Sequence, residues 1–289
     1  DTRAGRIILE LTKEMQRPCP NMTLMYREDT PDDYMKAALE TAMVSSKPSF
    51  ANDKMYRKEM GDYAVVSCYN TLPIGGCGLT LVRLNMNRLP ELAKNPEDLL
   101  DRVIPDAVTA VCDAIDSRCR FIVDECHYYE NNFLYREGLI RKEKDYMIGM
   151  FGFVGLAECV NKALGLTELG ERYGHNEKAD AFGEAIMDRI RAEIDKRPAA
   201  YGKYGLHAQV GVMEDTESTP GGRIPIGEEP ELPLQIQHFT RMHKGCDAGC
   251  GELFPFDHTV GNNPQYLLDI LKGAFSTGAR YLSFYSGDS

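Results

Sequence analysis

The sequence predicts an α/β fold with a largely parallel sheet. Short apolar runs, several rich in β-branched residues, alternate along the chain with amphipathic helical patterns. The strand-like runs are apolar enough to be buried on both faces, which is typical of parallel strands covered by helices. With 289 residues, the chain has room for two domains or for one large α/β barrel.

Residues 1–60 are predicted to be mainly helical. A helical pattern covers residues 5–15 and is followed by a break at Pro18 and Pro20. A second helix is predicted to start at Thr30-Pro31-Asp32-Asp33 and to run to Val44, because a proline in the first turn and acids at the positive end of the helix dipole favour a start there. Residues 45–52 are predicted to form a loop.

The segment from Gly61 to Leu89 predicts a strand, a loop and a second strand. Residues 63–67 are short and apolar, and residues 79–89 alternate between apolar and polar side chains. The glycine-rich stretch between them, residues 68–78, favours a tight reversal. Cys68 therefore lies at the exit of the first strand and Cys77 lies in the turn. A thiol at the end of a strand is more often structural than reactive, so both interpretations stay open.

The rest of the chain continues the alternation of helices and strands. One apolar stripe at helical spacing runs from Leu99 to Ile115. The further predicted elements are a helical piece over 118–134, a strand, glycine turn and helix over 146–164, a helix over 176–196, a strand over 206–213, a polar loop over 214–227, a helix over 263–275 and a strand over 281–285.

Composition restricts the functional classes. The net charge is −11 without a basic cluster, which argues against a nucleic-acid groove. No apolar run reaches the roughly 18 residues of a membrane span. The nine cysteines are odd in number and irregularly spaced, so we expect reduced thiols and a cytoplasmic protein.

Other catalytic and binding motifs are incomplete. The stretch beginning at Gly76 has Leu81 where a dinucleotide fingerprint needs its third glycine, and neither a Walker loop nor a GxSxG elbow occurs. His243, Cys246 and Cys250 offer soft ligands, but their spacing matches no strong zinc pattern. We therefore expect no metal, with a structural metal at these residues as an alternative.

Three stretches together resemble the glycyl radical enzymes, in particular their YjjI-type branch. SCYNTLPIGGCGLTLVRLNMNRL is similar to the family's finger loop and following strand. MIGMFGFVGLAE is similar to its strand-to-helix turn, and ESTPGGR resembles the substrate loop of the related anaerobic ribonucleotide reductase. The tail from residue 254 resembles the helix and strand that precede the family's glycyl loop.

The resemblance implies a ten-stranded α/β barrel over residues 61–289, with residues 1–60 leading into it. It implies that Cys68 in the finger loop forms the thiyl radical, with Cys77 as the second choice. Glu217 is then a proton donor or acceptor, unless it is a solvated loop acid or a helix cap. The residues that the resemblance implies for substrate binding are Asn70, Asn85, Ser218 and Thr219.

The resemblance also implies partners and a radical cofactor. It implies that a separate radical SAM activase installs the radical on a glycine and that the substrate is a small molecule. Members of the family are typically homodimers, so a homodimer is expected. The family's Arg-x-x-Gly-Tyr-like motif does not occur in these 289 residues. We therefore expect a barrel that is incomplete at both ends and inactive alone. Nucleotide reduction and a non-catalytic barrel protein are the alternative functions.

Overall fold

The computed structural model describes residues 1–66, 70–141, 143–207, 218–247, 249–250, 253–256 and 258–286. Within these residues, parallel and antiparallel strands form sheets of four, two and three strands. Helices separate most of the strands along the chain. The predicted α/β class is therefore confirmed, whereas the ten-stranded barrel stays a prediction.

Three helices and two strands occupy the first sixty residues. The elements are α1 (Arg3–Met15), β1 (Thr23–Tyr26), α2 (Asp32–Ser45), β2 (Ser49–Asn52) and α3 (Asp53–Met60). Helix α2 begins at Asp32, inside the predicted start, with Asp32 and Asp33 in its first turn and Pro31 directly before that turn rather than in it. The prediction of a mainly helical segment omitted both strands. Strand β2 is buried throughout and is only four residues long, so it shows too little periodicity to be distinguished from a loop.

In the middle of the chain, the loop predicted over 68–78 contains a strand at Asn70–Pro73, and the second predicted strand begins at Cys77, a residue predicted to lie in the turn. The elements are β3 (Tyr63–Val66), β4 (Asn70–Pro73), β5 (Cys77–Asn85), α4 (Pro96–Asp98), α5 (Ile104–Arg120), α6 (Tyr128–Asn131), α7 (Phe133–Arg136), β6 (Met147–Val154), α8 (Leu156–Leu164), α9 (Glu177–Asp195) and β7 (Lys203–Leu206). The predicted strand over 79–89 is shorter than expected, because Met86–Leu92 forms a 3-10 helix.

The last part of the chain adds two helices and two strands. They are α10 (Leu232–His243), β8 (Leu253–Phe256), α11 (Pro264–Ser276) and β9 (Tyr281–Ser286). The side chain of Asn263 caps α11 by accepting a hydrogen bond from the Tyr266 amide, as Asn does at helix starts. Helix α11 and strand β9 agree with the prediction, whereas α10 and β8 were not predicted.

The chain divides into two compact units. One consists of residues 1–61 and 252–289, and the other consists of residues 62–251. In the first unit the strand order is β1-β2-β9-β8, with β2 and β9 antiparallel and the other pairs parallel. The predicted boundary at residue 60 between a helical segment and a barrel stays a prediction.

The second unit contains the parallel sheet β5-β6-β7 and the antiparallel pair β3-β4. Helices α5, α8 and α9 contribute buried apolar side chains to the hydrophobic core of this unit. Among the described residues, no helix of either unit combines the length and apolarity that a bilayer crossing demands.

Candidate functional site

Strands β3 and β4 flank, in the sequence, the segment in which the reactive thiol is predicted. The two strands pair from Tyr63 with Pro73 to Val66 with Asn70. Pro73 stands at the end of β4, where a strand tolerates proline. Cys68 lies in the sequence between the paired residues Val66 and Asn70, outside the described residues. The side chain of Asn70 is also outside the description, so the roles of both residues stay predictions.

An arginine from a later segment holds the base of this hairpin. The Arg141 amide donates to the Gly75 carbonyl at 2.9 Å, and a Cβ at Gly75 would lie 3.0 Å from Cγ of Arg141. The Arg141 guanidinium lies 4.6 Å from the ring centroid of Tyr146 and donates to its hydroxyl at 2.6 Å. Gly75 has φ +87°, so both its conformation and this contact favour glycine.

Cys77 and Asn85 lie at opposite ends of one strand. Cys77 is the first residue of β5, and its Sγ is 3.2 Å from the hydroxyl of Tyr128. Burial, followed by this thiol, raises the pKa of Tyr128. Asn85 ends the same strand, and eight residues at about 3.3 Å each place the two residues about 26 Å apart. The structure therefore does not bring Cys77 together with Asn85.

Asn85 and Ser218 meet at the carboxyl end of β5. The Ser218 hydroxyl donates to Oδ1 of Asn85 at 3.1 Å, and Nδ2 of Asn87 donates to the Ser218 hydroxyl at 3.2 Å. Ser218 and Asn87 are both buried. The structure thus joins two residues predicted for substrate binding, and it adds Asn87, which belongs to the quoted finger-loop stretch but was not selected from the sequence.

Thr219 is held by the turn that follows β6. The Gly155 amide donates to the Thr219 carbonyl at 2.7 Å. In return, Oε1 of Glu158 accepts from the Thr219 amide at 3.0 Å and from its hydroxyl at 2.5 Å. Pro220 pairs with Val154 as an isolated antiparallel bridge. The segment after residue 217 is therefore fixed along the end of β6.

Glu158 ends the stretch MIGMFGFVGLAE and was not predicted as a site residue. Its Oε2 atom is buried, and no hydrogen-bond donor within the described ranges reaches it. A buried carboxylate oxygen is stabilised by hydrogen bonds or charge, which makes it a group able to receive a donor from a ligand. The sequence signal that could have indicated Glu158 is its position as an acid in the first turn of a helix that directly follows a glycine turn.

His207 follows β7 and lies near the same edge of the sheet. Its amide donates to the Phe151 carbonyl at 2.8 Å, and its side chain is buried. Burial lowers the pKa of His207 to about 4, so the imidazole is neutral at pH 7. No motif marks this histidine in the sequence, and it too was missed.

The loop that follows α10 is tied to β7 by Asp247. The Arg191 guanidinium donates to Oδ2 of Asp247 at 2.7 Å, and the Leu206 amide donates to the same oxygen at 2.7 Å. The Asp247 amide donates to the Leu206 carbonyl at 2.9 Å. Because each of these contacts ends on β7 or α9, the loop is held against the sheet.

The residues of the alternative metal site are buried in protein contacts. A ring nitrogen of His243 contacts the Cys250 carbonyl oxygen, and Sγ of Cys250 accepts from the Gly222 amide at 3.1 Å. Sγ of Cys246 lies 3.7 Å from the Met242 carbonyl oxygen. Among the residues that the structure describes, no three His, Cys, Asp or Glu side chains are grouped as metal ligands.

Glu217, the predicted proton donor or acceptor, lies outside the described residues. Its neighbour Ser218 is described, and Ser218 contacts Asn85 and Asn87 as given above. The predicted role of Glu217 stays a prediction. The described geometry is a polar cluster at the carboxyl ends of β5, β6 and β7, which is the edge where open parallel sheets and barrels place their ligands.

Comparison with known proteins identifies the family. The model of the YjjI-like glycyl radical enzyme family matches residues 1–289. The chain belongs to this family. It is 36% identical over 295 residues to an uncharacterized protein of Haemophilus influenzae, covering 99% of this chain and 57% of that protein. It is 36% identical over 288 residues to the uncharacterized protein YjjI of Escherichia coli, covering 97% of this chain and 55% of that protein.

Solved structures share the fold at low sequence identity. The anaerobic ribonucleotide reductase of Thermotoga maritima with citrate in its active site matches with a TM-score of 0.73 and 16% identity over 98% of this chain and 54% of that one. The B12-independent glycerol dehydratase of Clostridium butyricum matches with a TM-score of 0.73 and 13% identity over 99% and 49%. The chain thus spans about half the length of the relatives and structures that it matches.

Proposed function

We propose that this chain carries the finger loop and the substrate loop of a glycyl radical enzyme. The single observation that supports the proposal best is the placement of Ser218 and Thr219 against the carboxyl ends of β5 and β6. This segment resembles the substrate loop of the anaerobic ribonucleotide reductase, a relative of the YjjI-like family to which the chain belongs. The ten-stranded barrel is the fold that we propose for the intact protein.

The proposed chemistry begins on a glycine radical and passes to Cys68. A radical SAM activase removes one hydrogen atom from a glycine Cα, and the glycyl radical then takes the hydrogen of the Cys68 thiol. The resulting thiyl radical abstracts hydrogen from a small organic substrate, so that an S–H bond forms as a C–H bond breaks. Exclusion of water and oxygen by the surrounding protein preserves the radicals.

The proposed partners follow from this chemistry. The activase and a small-molecule substrate are required, and we place the protein in the cytoplasm as a homodimer. Asn85, Ser218 and Thr219 would contact the substrate, and Glu217 would exchange protons with it. Glu158 would act through Thr219, as a positioning residue rather than a catalytic one.

Electron paramagnetic resonance of the intact protein tests the proposal. After anaerobic incubation with its activase and S-adenosylmethionine, we expect an organic radical signal with the splitting of a single Cα hydrogen. Exposure to air should then cleave the polypeptide at one glycine. A protein that gives neither the signal nor the cleavage with an active activase would be a non-catalytic barrel protein instead.

A further inference from the structure

A cavity opens in the first unit where β1 and β2 end. It has a volume of about 490 Å³, which is within the range of small-molecule sites. Tyr26 and Asn52, the last residues of the two strands, line it together with side chains from α3 and from the end of α11. Its lining residues lie within 1–61 and 252–289, whereas the polar cluster of the proposed radical site lies in the other unit.

Part of the lining of this cavity is apolar. The ring centroids of Tyr26 and Phe275 lie 5.7 Å apart with the rings tilted, and the side chain of Met55 lines the same cavity. Phe275 is buried and Tyr26 is half-buried. The two rings and the thioether therefore offer a surface against which a ring or a short hydrocarbon group of a ligand can pack.

The carbonyl groups at the end of α11 are engaged within the protein. Nδ2 of the buried Asn52 donates to the Phe275 carbonyl at 3.2 Å and to the Ala279 carbonyl at 3.0 Å. The Ser276 hydroxyl donates to the Gly273 carbonyl at 2.7 Å. Free carbonyl groups at a helix C-terminus repel anions, and these hydrogen bonds reduce that repulsion beside the cavity.

Three lysines supply the charged part of the lining. Lys54 and Lys58 are one turn apart on α3 and share a face of that helix, and Lys272 comes from α11. Nζ of Lys54 donates to Oε1 of Glu28 at 2.7 Å, and Nζ of Lys272 donates to Oδ1 of Asp32 at 2.8 Å. Because an ammonium group has three donors, both lysines retain donors for a ligand.

The charges around the cavity leave an excess of cations. Lys58 is exposed and has no ion-pair partner among the described residues. Asp53, next to Lys54 in the first turn of α3, is engaged by Arg27 and by Arg57, each at 2.9 Å. Glu28 is 76% exposed, and an ion pair at such a position is weak enough to open for a ligand. In a chain of net charge −11, this cationic cavity is a local reversal of the overall charge.

We propose that this cavity binds a phosphate monoester whose organic part is apolar. The phosphate is held by Lys58 together with Lys54 and Lys272, and the organic part packs on the rings of Tyr26 and Phe275. Lysine binds phosphate as a point charge, and a dianion gains more than a monoanion from three ammonium groups. Binding at this site needs no radical, so the site adds a ligand to the protein beyond the proposed function.

Isothermal titration calorimetry of the intact protein, without activation, tests the site. The probes are phenyl phosphate, inorganic phosphate as the same anion without the ring, and phenol as the same ring without the anion. We expect phenyl phosphate to bind more tightly than inorganic phosphate, and phenol not to bind. The affinity for phenyl phosphate should fall as sodium chloride is added, because salt screens the attraction between exposed charges.

Variants separate the cavity from general charge effects. Lys58→Gln should weaken the binding of phenyl phosphate by about tenfold, since one charged contact is lost, and Lys58→Arg should weaken it less because the charge is kept. Lys13→Gln is the matched control. Lys13 lies on α1, is 48% exposed and pairs with Glu40 at 2.8 Å, and it does not line the cavity. Its replacement should leave the dissociation constant unchanged.

Three results would overturn the phosphate site: no binding of phenyl phosphate at millimolar concentration, equal binding of phenol, or an unchanged dissociation constant in Lys58→Gln. The thermal unfolding midpoint of each variant confirms that it is folded. A radical signal without binding of phenyl phosphate would reject the site and keep the proposed function. Binding that depends on Lys58 without a radical signal would keep the site and reject the proposed function.

Discussion

At the scale of single residues, Glu158 connects the helix after β6 to the substrate loop. One carboxylate oxygen accepts two hydrogen bonds from Thr219, and the Gly155 amide binds the carbonyl of the same residue. Thr219 is therefore held from both sides of its peptide unit. This positioning role requires the hydrogen-bond acceptor Oε1 of Glu158 more than it requires the negative charge of the carboxylate.

Replacement of Glu158 should separate these two contributions. Glu158→Ala should lower the free energy of unfolding by about 1–3 kcal/mol, because two donors of Thr219 lose their acceptor. Glu158→Gln keeps an acceptor oxygen and should cost less. Urea unfolding measures both, and Glu171→Ala, at an exposed position, should stay within about 0.5 kcal/mol. Equal losses in the Ala and Gln variants would contradict the assignment to the acceptor.

The buried His207 should make the free energy of unfolding depend on pH. Its pKa lies at about 4 in the folded protein, below the ordinary 6.5, because of burial. The unfolded chain therefore binds the proton more tightly between these values, and stability should fall as the pH drops from about 6.5 to about 4. The loss attributable to this group reaches about 3 kcal/mol.

Urea unfolding at a series of pH values measures this effect. The His207→Asn variant should lose that part of the pH slope, whatever its stability at pH 7. His127→Asn is the control, since His127 is exposed, and it should keep the wild-type slope. A slope unchanged in His207→Asn would show that other groups cause the acid dependence.

Sequence reasoning reached only part of the site at this scale. Asn85, Ser218 and Thr219 lie in the stretches that resemble the finger loop and the substrate loop. The structure brings Asn85 into hydrogen-bond contact with Ser218. His207 and Asn87 were missed because their placement depends on strand register and on contacts between residues more than a hundred positions apart. Local sequence patterns contain no information on such contacts.

At the scale of elements, the turn between β6 and α8 positions the site. Gly155 has φ +79°, and a Cβ there would lie 2.8 Å from the Asn87 amide nitrogen. The turn therefore approaches the 3-10 helix after β5 closely enough to place Asn87, Asn85 and Ser218 together. The sequence predicted a glycine-permitted turn here, and the structure agrees.

Alanine at this turn should be costly. Gly155→Ala meets both the unfavourable positive φ and the backbone of Asn87, whereas Gly165→Ala has φ +66° and open space within 4 Å. Gly165→Ala should therefore lose about 1–2 kcal/mol from its conformation alone, and Gly155→Ala should lose about 1–3 kcal/mol more from the close contact. Thermal or urea unfolding of the pair measures the difference. Equal losses of unfolding free energy in the two variants would contradict this prediction, since the backbone at residue 155 would then move away from Asn87 without an energetic cost.

Helices with clear start signals and apolar stripes were the most predictable elements. The prediction over 176–196 agrees with α9, which Asn176 caps, and the prediction over 263–275 agrees with α11. Helix α10 was missed because its start follows an acidic, proline-containing stretch that reads as a loop. The short strands β1, β2, β4 and β8 were missed because four residues give no measurable period.

At the scale of the whole molecule, the sheets of the two units agree with the predicted α/β class. The chain spans 57% and 55% of the length of the two relatives given above, so the activity of a whole protein of this family stays a proposal for this chain. The ten-stranded barrel stays a prediction. The sequence could predict the fold class from alternation of elements, but not the order of strands in a sheet, because tertiary contacts decide it.

The central claim, that Cys68 exchanges hydrogen with the glycyl radical, is tested most directly by resonance spectra in deuterated water. The thiol takes up solvent deuterium and passes it to the glycine Cα, so the doublet splitting should collapse in the activated intact protein. It should also collapse in Cys77→Ser, because Cys77 lies at the far end of β5 from Asn85. In Cys68→Ser the radical should form and the doublet should persist, since a serine hydroxyl does not donate hydrogen to a glycyl radical. Collapse in Cys68→Ser, or a doublet that persists only in Cys77→Ser, would contradict the account.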